Sequence, residues 1–206
     1  MDINGDITAE NILRLDRITH RRLDALDPDR SMAVAVFSPL EVHGPHLPIG
    51  QDWFEATAVT EKTLARVAAE HPDWSFVLVP PIPLADDCLP HFGSVNIPAA
   101  LVRKVAYHVL EPFAKKGFAR LAYTSFHGGP RHMTCLEAAA HDLTKEYDTQ
   151  AISIFSAMVG RISSGENVFF DAVKDHPDNP VTLDEIGSDW HAGFVETSIG
   201  LALWPE

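Results

Sequence analysis

Between Glu41 and Asp52 the chain reads Glu-Val-His-Gly-Pro-His-Leu-Pro-Ile-Gly-Gln-Asp, which crowds Glu41, His43, His46 and Asp52 into one Gly- and Pro-broken segment. Anionic oxygens beside neutral imidazole nitrogens suit a hard-to-borderline divalent metal ion. A single His or Asp on a loop is ordinary surface, but this set together reads as a metal-binding segment. Two further stretches carry the same chemistry. His127 stands before Gly128 and Gly129, which let backbone approach a ligand closely, and Glu196 follows His191 in the last segment. Glu41, His43, Asp52, His127 and Glu196 offer more N and O donors than one tetrahedral zinc requires. They suit two ions roughly 3.5–4 Å apart sharing a carboxylate, for which the short Asp52 is the natural bridge. Such a pair acidifies a bridging water and polarises a carbonyl, the task in amide cleavage, and His191 is placed to pass a proton to the leaving nitrogen.

The elements that would bring these residues together follow from hydrophobic patterning. Met32 to Phe37, Trp74 to Val79, Phe118 to Ser125 and Gln150 to Phe155 are short apolar runs that read as buried strands. Helical spacing predicts helices from Thr8, as N-cap, to about Leu26, and from Trp53 to about Glu70. Two more run from Pro98 to about Lys116, closed by Gly117, and from after His132 to about Tyr147. The segment 80–98 is broken by prolines and a glycine, and a loop of that length is usually functional. The stretch 174–189 is acidic and reads as loop or lid, and 191–203 as a turn leading into a short apolar helix. Alternating strand and helix predict an α/β fold with a mostly parallel sheet covered on both faces. In such sheets ligands bind beyond the carboxyl ends of the strands, so loops distant in sequence meet at one rim.

Other polar residues take plainer readings. His46 braces its own loop. Asp86 and Asp87 form a solvated turn, and His71, His108, His141 and His176 carry no chemistry. His132 is a surface residue as readily as a site residue, and His91 faces either substrate or solvent. Cys88 lacks a nucleophile signature, and Ser94 and Ser125 lack a nucleophile elbow. Trp53, Phe92, Trp190 and Phe194 are candidates for an apolar pocket wall.

Composition bounds the function. The 206 residues suit one domain spanning 1–206, with 46% hydrophobic and 22% charged residues. The formal net charge of −13 argues against nucleic acid and anionic membrane as partners. No apolar run reaches membrane-spanning length, and the acidic N-terminus is unlike a targeting signal. The 2 cysteines fit a reducing, cytoplasmic setting rather than a disulfide scaffold.

The segment from Glu41 to Asp52 resembles the Glu-x-His-Gly-x-His-Leu-Pro…Asp signature of the creatininase (creatinine amidohydrolase) family. Phe126-His127-Gly128-Gly129 resembles its Gly-His-Gly-Gly turn, and His191-Ala-Gly-Phe-Val-Glu196-Thr-Ser198 its His-Ala-Gly-x-x-Glu-Thr-Ser signature. The three occur in the family order. The resemblance implies a three-layer α/β/α fold and two divalent ions per chain, zinc foremost, with manganese or iron as alternatives. It implies hydrolysis of a cyclic or linear C–N amide bond in a small molecule, an amide or lactam. Glu41, His43, Asp52, His127 and Glu196 are then the metal ligands, with His191 as acid/base and Glu196 in the catalytic set. Family members commonly assemble as hexamers built of dimers, so a homo-oligomer is expected. The chain departs from the pattern at Pro39-Leu40 (Gly-Ser in the family), Ser125-Phe126 (Asn-Gly), Pro130 (Asn) and Phe194 (often Glu). These changes spare the ligand types and alter the pocket wall, so creatinine itself is not implied. The alternative is a catalytically drifted member acting as a metal-stabilised binding or assembly protein. A flavodoxin-like binding module is disfavoured by the lack of a Gly-rich phosphate loop.

Overall fold

The computed structural model describes residues 9–178 and 181–204. Its centre is β2 (Ser31–Val36), whose Ala and Val residues are buried on both faces, as a covered parallel strand requires. β2 pairs with β3 (Ser75–Leu78) on one side and β4 (Arg120–Thr124) on the other. The edges are β1 (Ile12–Arg14) beside β3 and β5 (Gln150–Ser153) beside β4. Among the described residues the resulting 5-stranded sheet has the order β1-β3-β2-β4-β5 with every pairing parallel. Parallel neighbours demand crossovers, supplied by α2 (Gln51–Glu70), α3 (Ala99–Lys116) and α4 (Pro130–Glu146).

The helices cover both faces. Ala33, Ala35, Phe37, Leu121 and Tyr123 pack against α3 and α4, where Ala106, Leu110, Leu136 and Leu143 are buried. Val34, Val36, Phe76 and Leu78 pack against Ala56, Leu64 and Ala68 of α2. The expected three-layer α/β/α architecture is present. Gly117 closes α3 at φ +91°, a conformation in which its missing Cβ matters. α2 starts two residues earlier than the apolar pattern suggests, which puts Asp52 in its first turn, where the helix dipole favours an anion.

The single helix expected from Thr8 to Leu26 is not what forms. Ile12 and Leu13 are buried in β1, a 3-10 turn spans Leu15–Arg17, and only α1 (His20–Asp24) is α-helical. The adjacent apolar pair Ile12-Leu13 gains more by extending the sheet, where Phe76 N–H bonds the Asn11 carbonyl (2.8 Å). The N-cap expected at Thr8 lies outside the described residues. The fourth expected strand stops at Ser153, and Ile154 opens α5 (Ile154–Ser163). α6 (Val168–Val173) follows, and the acidic stretch 174–189 is not all loop: α7 (Leu183–Gly187) forms within it and carries a Thr182/Glu185 capping box. α8 (Phe194–Leu203) packs on α2. No helix among the described residues is long and apolar enough to cross a membrane.

Candidate metal centre

The loop after β2 folds back on itself, with Glu41 N–H bonding the Ile49 carbonyl (2.8 Å) and Gly44 turning at φ +68°. This delivers Glu41 and His43 to the carboxyl edge of the sheet, next to Asp52 on α2. His127 arrives from the end of β4, and Glu196 from the first turn of α8. The five residues named from the sequence therefore meet at one rim.

Their hydrogen bonds define the donor set. His43 Nδ1 donates to the Glu41 carbonyl (2.9 Å), because a carbonyl can only accept. Its Nε2 is then the lone-pair nitrogen of a neutral ring, yet it faces Asp52 Oδ1 at 3.0 Å and Glu196 Oε2 at 3.8 Å. His127 repeats the arrangement with its nitrogens exchanged. Nε2 donates to the Asp86 carbonyl (3.1 Å), and Nδ1 faces Glu41 Oε2 at 3.0 Å and Asp52 Oδ2 at 3.2 Å. Each ring thus points a nitrogen at carboxylate oxygens, which is favourable only with positive charge between them. Burial by itself depresses both imidazoles, but Asp52, aided by Glu41 at His127, lifts His43 to about 9 and His127 to about 10. Burial would raise the Asp52 carboxyl, yet the facing His127 and His43 rings hold it below the usual range. Glu41 Oε2 and Asp52 Oδ2 are buried and have no hydrogen-bond partner. A divalent cation satisfies these oxygens and both lone pairs without a proton, so the residues fit metal. Ligand atoms of His43, Asp52 and Glu196 lie within 4.8 Å of one another, as do those of Glu41, Cys88 and His127.

The Glu196 carboxylate accepts from the Ala192 backbone N–H, and Ala192 holds φ +58°, uncommon for a residue with a Cβ. Burial, then the charge of Asp52, raises the Glu196 carboxyl. His191 lies over His43 with ring centroids 4.1 Å apart, and its Nε2 donates to the Val42 carbonyl (2.8 Å). His191 lines a cavity of about 650 Å³ that also exposes Glu41, Asp52, His127 and Glu196.

Several neighbours differ from the sequence reading. His132 is fully buried, its Nε2 near the Phe37 carbonyl (3.2 Å) and Ser125 Oγ (3.3 Å), because the inward stripe of α4 carries it under the rim. Burial, then the charge of His127, pushes it down to about 4. Asp86 is buried rather than solvated and accepts from Asn96 Nδ2 (2.9 Å). His46 braces not its own loop but α8, through Thr197 Oγ1 (3.1 Å). Of the expected aromatic wall, Trp190 lines the cavity, whereas Trp53, Phe92 and Phe194 do not. Trp53 packs on Phe54 along α2, and Phe92 is fully exposed. The sequence reading passed over Gln51 and Glu55, both fully buried beside the candidate ligands. The spacing of Gln51, Asp52 and Glu55 within one helical turn was the available signal. Burial, against the hydrogen bond from Gln51, raises the Glu55 carboxyl to about 8. Burial and then the charges of Glu41 and Asp52 push the Cys88 thiol up to about 12.

Comparison with known proteins places this geometry. The family model described as Creatininase: Creatinine amidohydrolase matches residues 16–206. The fold superposes on the structure described as Creatininase Mn with a TM-score of 0.68 at 17% identity, covering 94% of this chain and 73% of that one. A crystal structure of creatinine amidohydrolase (creatininase) gives a TM-score of 0.66 at 19% identity, covering 94% and 73%. A mutant creatininase complexed with creatine gives 0.62 at 17% identity, with the same coverage of 94% and 73%. No curated protein matches the chain. The family match over nearly the whole length, on a sheet that carries the family's three motifs to one rim, leads to one conclusion: the chain belongs to the creatininase family.

Proposed function

We propose that this chain, acting as one domain over residues 1–206, is a metal-dependent amidohydrolase that cleaves a cyclic or linear C–N bond in a small amide or lactam. The observation that carries the reading is Asp52, whose two oxygens face His43 and His127 on opposite sides. One ion would be held by Glu41, His127 and Asp52 Oδ2, the other by His43, Glu196 and Asp52 Oδ1. The mixed N/O donors accept zinc, manganese or iron. Mn stands in the name of one fold relative and creatine, a small C–N compound, in that of another.

Divalent ions bound there supply Lewis acidity, polarising a carbonyl and acidifying a water. The chain's own residues do the rest. Backbone carbonyls of Glu41 and Asp86 hold both imidazoles in the tautomer that turns a lone pair to the centre. The Val42 carbonyl keeps the proton on His191 Nε2, so Nδ1 is left to accept a proton and return it to the departing nitrogen. The cavity of about 650 Å³ suits a small molecule, and Leu89, Met133, Ile186 and Trp190 supply apolar wall. A homo-oligomer and a cytoplasmic setting complete the reading. The free thiols of Cys88 and Cys135 are in keeping with the latter.

The test is metal analysis after reloading with zinc or manganese, followed by a panel of lactams and linear amides assayed for released amine. The expected result is about two ions per chain and turnover that Asp52→Ala abolishes. Less than one ion per chain overturns the reading.

A further inference from the structure

We infer that Cys88 is a thiolate ligand of the ion held by Glu41 and His127, making this centre a mixed N/O/S site that favours zinc over manganese. The inference rests on the metal reading above and extends its donor set. Cys88 Sγ, a Glu41 carboxylate oxygen and a His127 ring nitrogen lie within 4.8 Å of one another, close enough for side-chain rotation to close them on one cation. An independent observation marks the same point. Glu41 Oε2 and Asp52 Oδ2, on carboxylates only 1% exposed, face it without a hydrogen-bond partner. His127 Nδ1 lies 3.0 Å from the first oxygen and 3.2 Å from the second.

The loop carrying Cys88 is built around this point. Asp86 gives its carbonyl to His127 Nε2 (3.1 Å), and Leu89 N–H donates to Glu41 Oε1 (2.6 Å). Cys88 N–H donates to Asn96 Oδ1 (2.9 Å). Between them Asp87 takes φ +71°, held there by Arg131 through its backbone N–H (3.1 Å) and its guanidinium (2.9 Å). Residues on both sides of Cys88 are thus tied to the first ligand pair. The thiol's own partner, the Val95 carbonyl at 3.6 Å, is a weak acceptor contact that metal–sulfur bonding would replace, the thiol proton leaving to solvent. A thiolate beside imidazole and carboxylate selects softer ions, which separates zinc from manganese where N/O donors alone do not.

Cobalt(II) substitution tests this with a readout independent of turnover. The wild-type protein loaded with cobalt should show an intense near-ultraviolet thiolate-to-cobalt band. Cys88→Ala should bind cobalt and lose that band, and Cys135→Ala should keep it. Bound cobalt without the band, or a band that persists in Cys88→Ala, overturns the inference while leaving the metal reading standing. Failure of the wild type to bind cobalt, zinc or manganese overturns both. If Cys88→Ala does not fold, the band in Cys135→Ala decides alone, because Cys88 is then the sole cysteine.

Discussion

Gln51 donates its side-chain amide to the backbone carbonyl of Glu196 (3.1 Å), tying the first residue of α2 to the first turn of α8. The same nitrogen donates to Glu55 Oε1 (2.7 Å). Gly200, one turn further along α8, leaves room for it, since a Cβ there would stand 2.7 Å from Gln51 Nε2. The carboxylate that would complete the proposed His43–Asp52 ligand set is therefore positioned by a buried amide. Gln51→Leu and Gly200→Ala should each weaken one of the two proposed ions by about 10–100-fold and spare the other. Chelator competition would resolve this as two phases, and two unchanged affinities would remove Gln51 from the positioning role.

Asp52 is the residue both halves of the site share. Asp52→Ala should leave less than one ion per chain and no measurable turnover. It also takes from His43 and His127 the counter-charge that lifts them. In the metal-free protein the cost should be roughly 3–5 kcal/mol, as for other broken buried pairs. Metal content and urea midpoints of the apo-proteins check both parts.

His132 gives the fold an acid limit. Its folded pKa of about 4 lies below the ordinary 6.5, first through burial and then through the charge of His127. Below about 6.5 the unfolded chain takes up a proton that the folded ring refuses, so stability falls as pH drops from 6.5 toward 4. The full loss is roughly 3 kcal/mol. Urea midpoints at pH 7 and 4.5 should separate less in His132→Gln than in the wild type. An equal separation would place the acid sensitivity elsewhere.

His191 is predicted to act on protons rather than to hold metal. Its Nε2 is engaged by the Val42 carbonyl, and it sits at the exposed lip of the cavity. His191→Ala should lower kcat by about 10²–10⁴ with unchanged ion content. Loss of an ion would make His191 a ligand, consistent with its closeness to Glu41 and His43.

How much of this was legible beforehand depends on whether a property is local. The runs Met32–Phe37 and Trp74–Val79 are apolar on both faces, so they could only be buried parallel strands, and the crossovers and the rim followed from that. Glu41, His43 and Asp52 are close in sequence, and the Gly and Pro residues between them forced a loop. The sequence therefore determined the α/β class, the rim and the candidate ligand types. Only the tertiary structure decided what surrounds them. Ile12 and Leu13 sit at a spacing that fits helix and strand alike, and the open edge of β3 chose strand. Cys88, His132, Gln51 and Glu55 look like ordinary loop or helix residues until other elements close over them. The burial of a polar side chain, and the choice of which carbonyl fixes an imidazole, are made by atoms distant in the chain. They exist only once the sheet has brought its loops together.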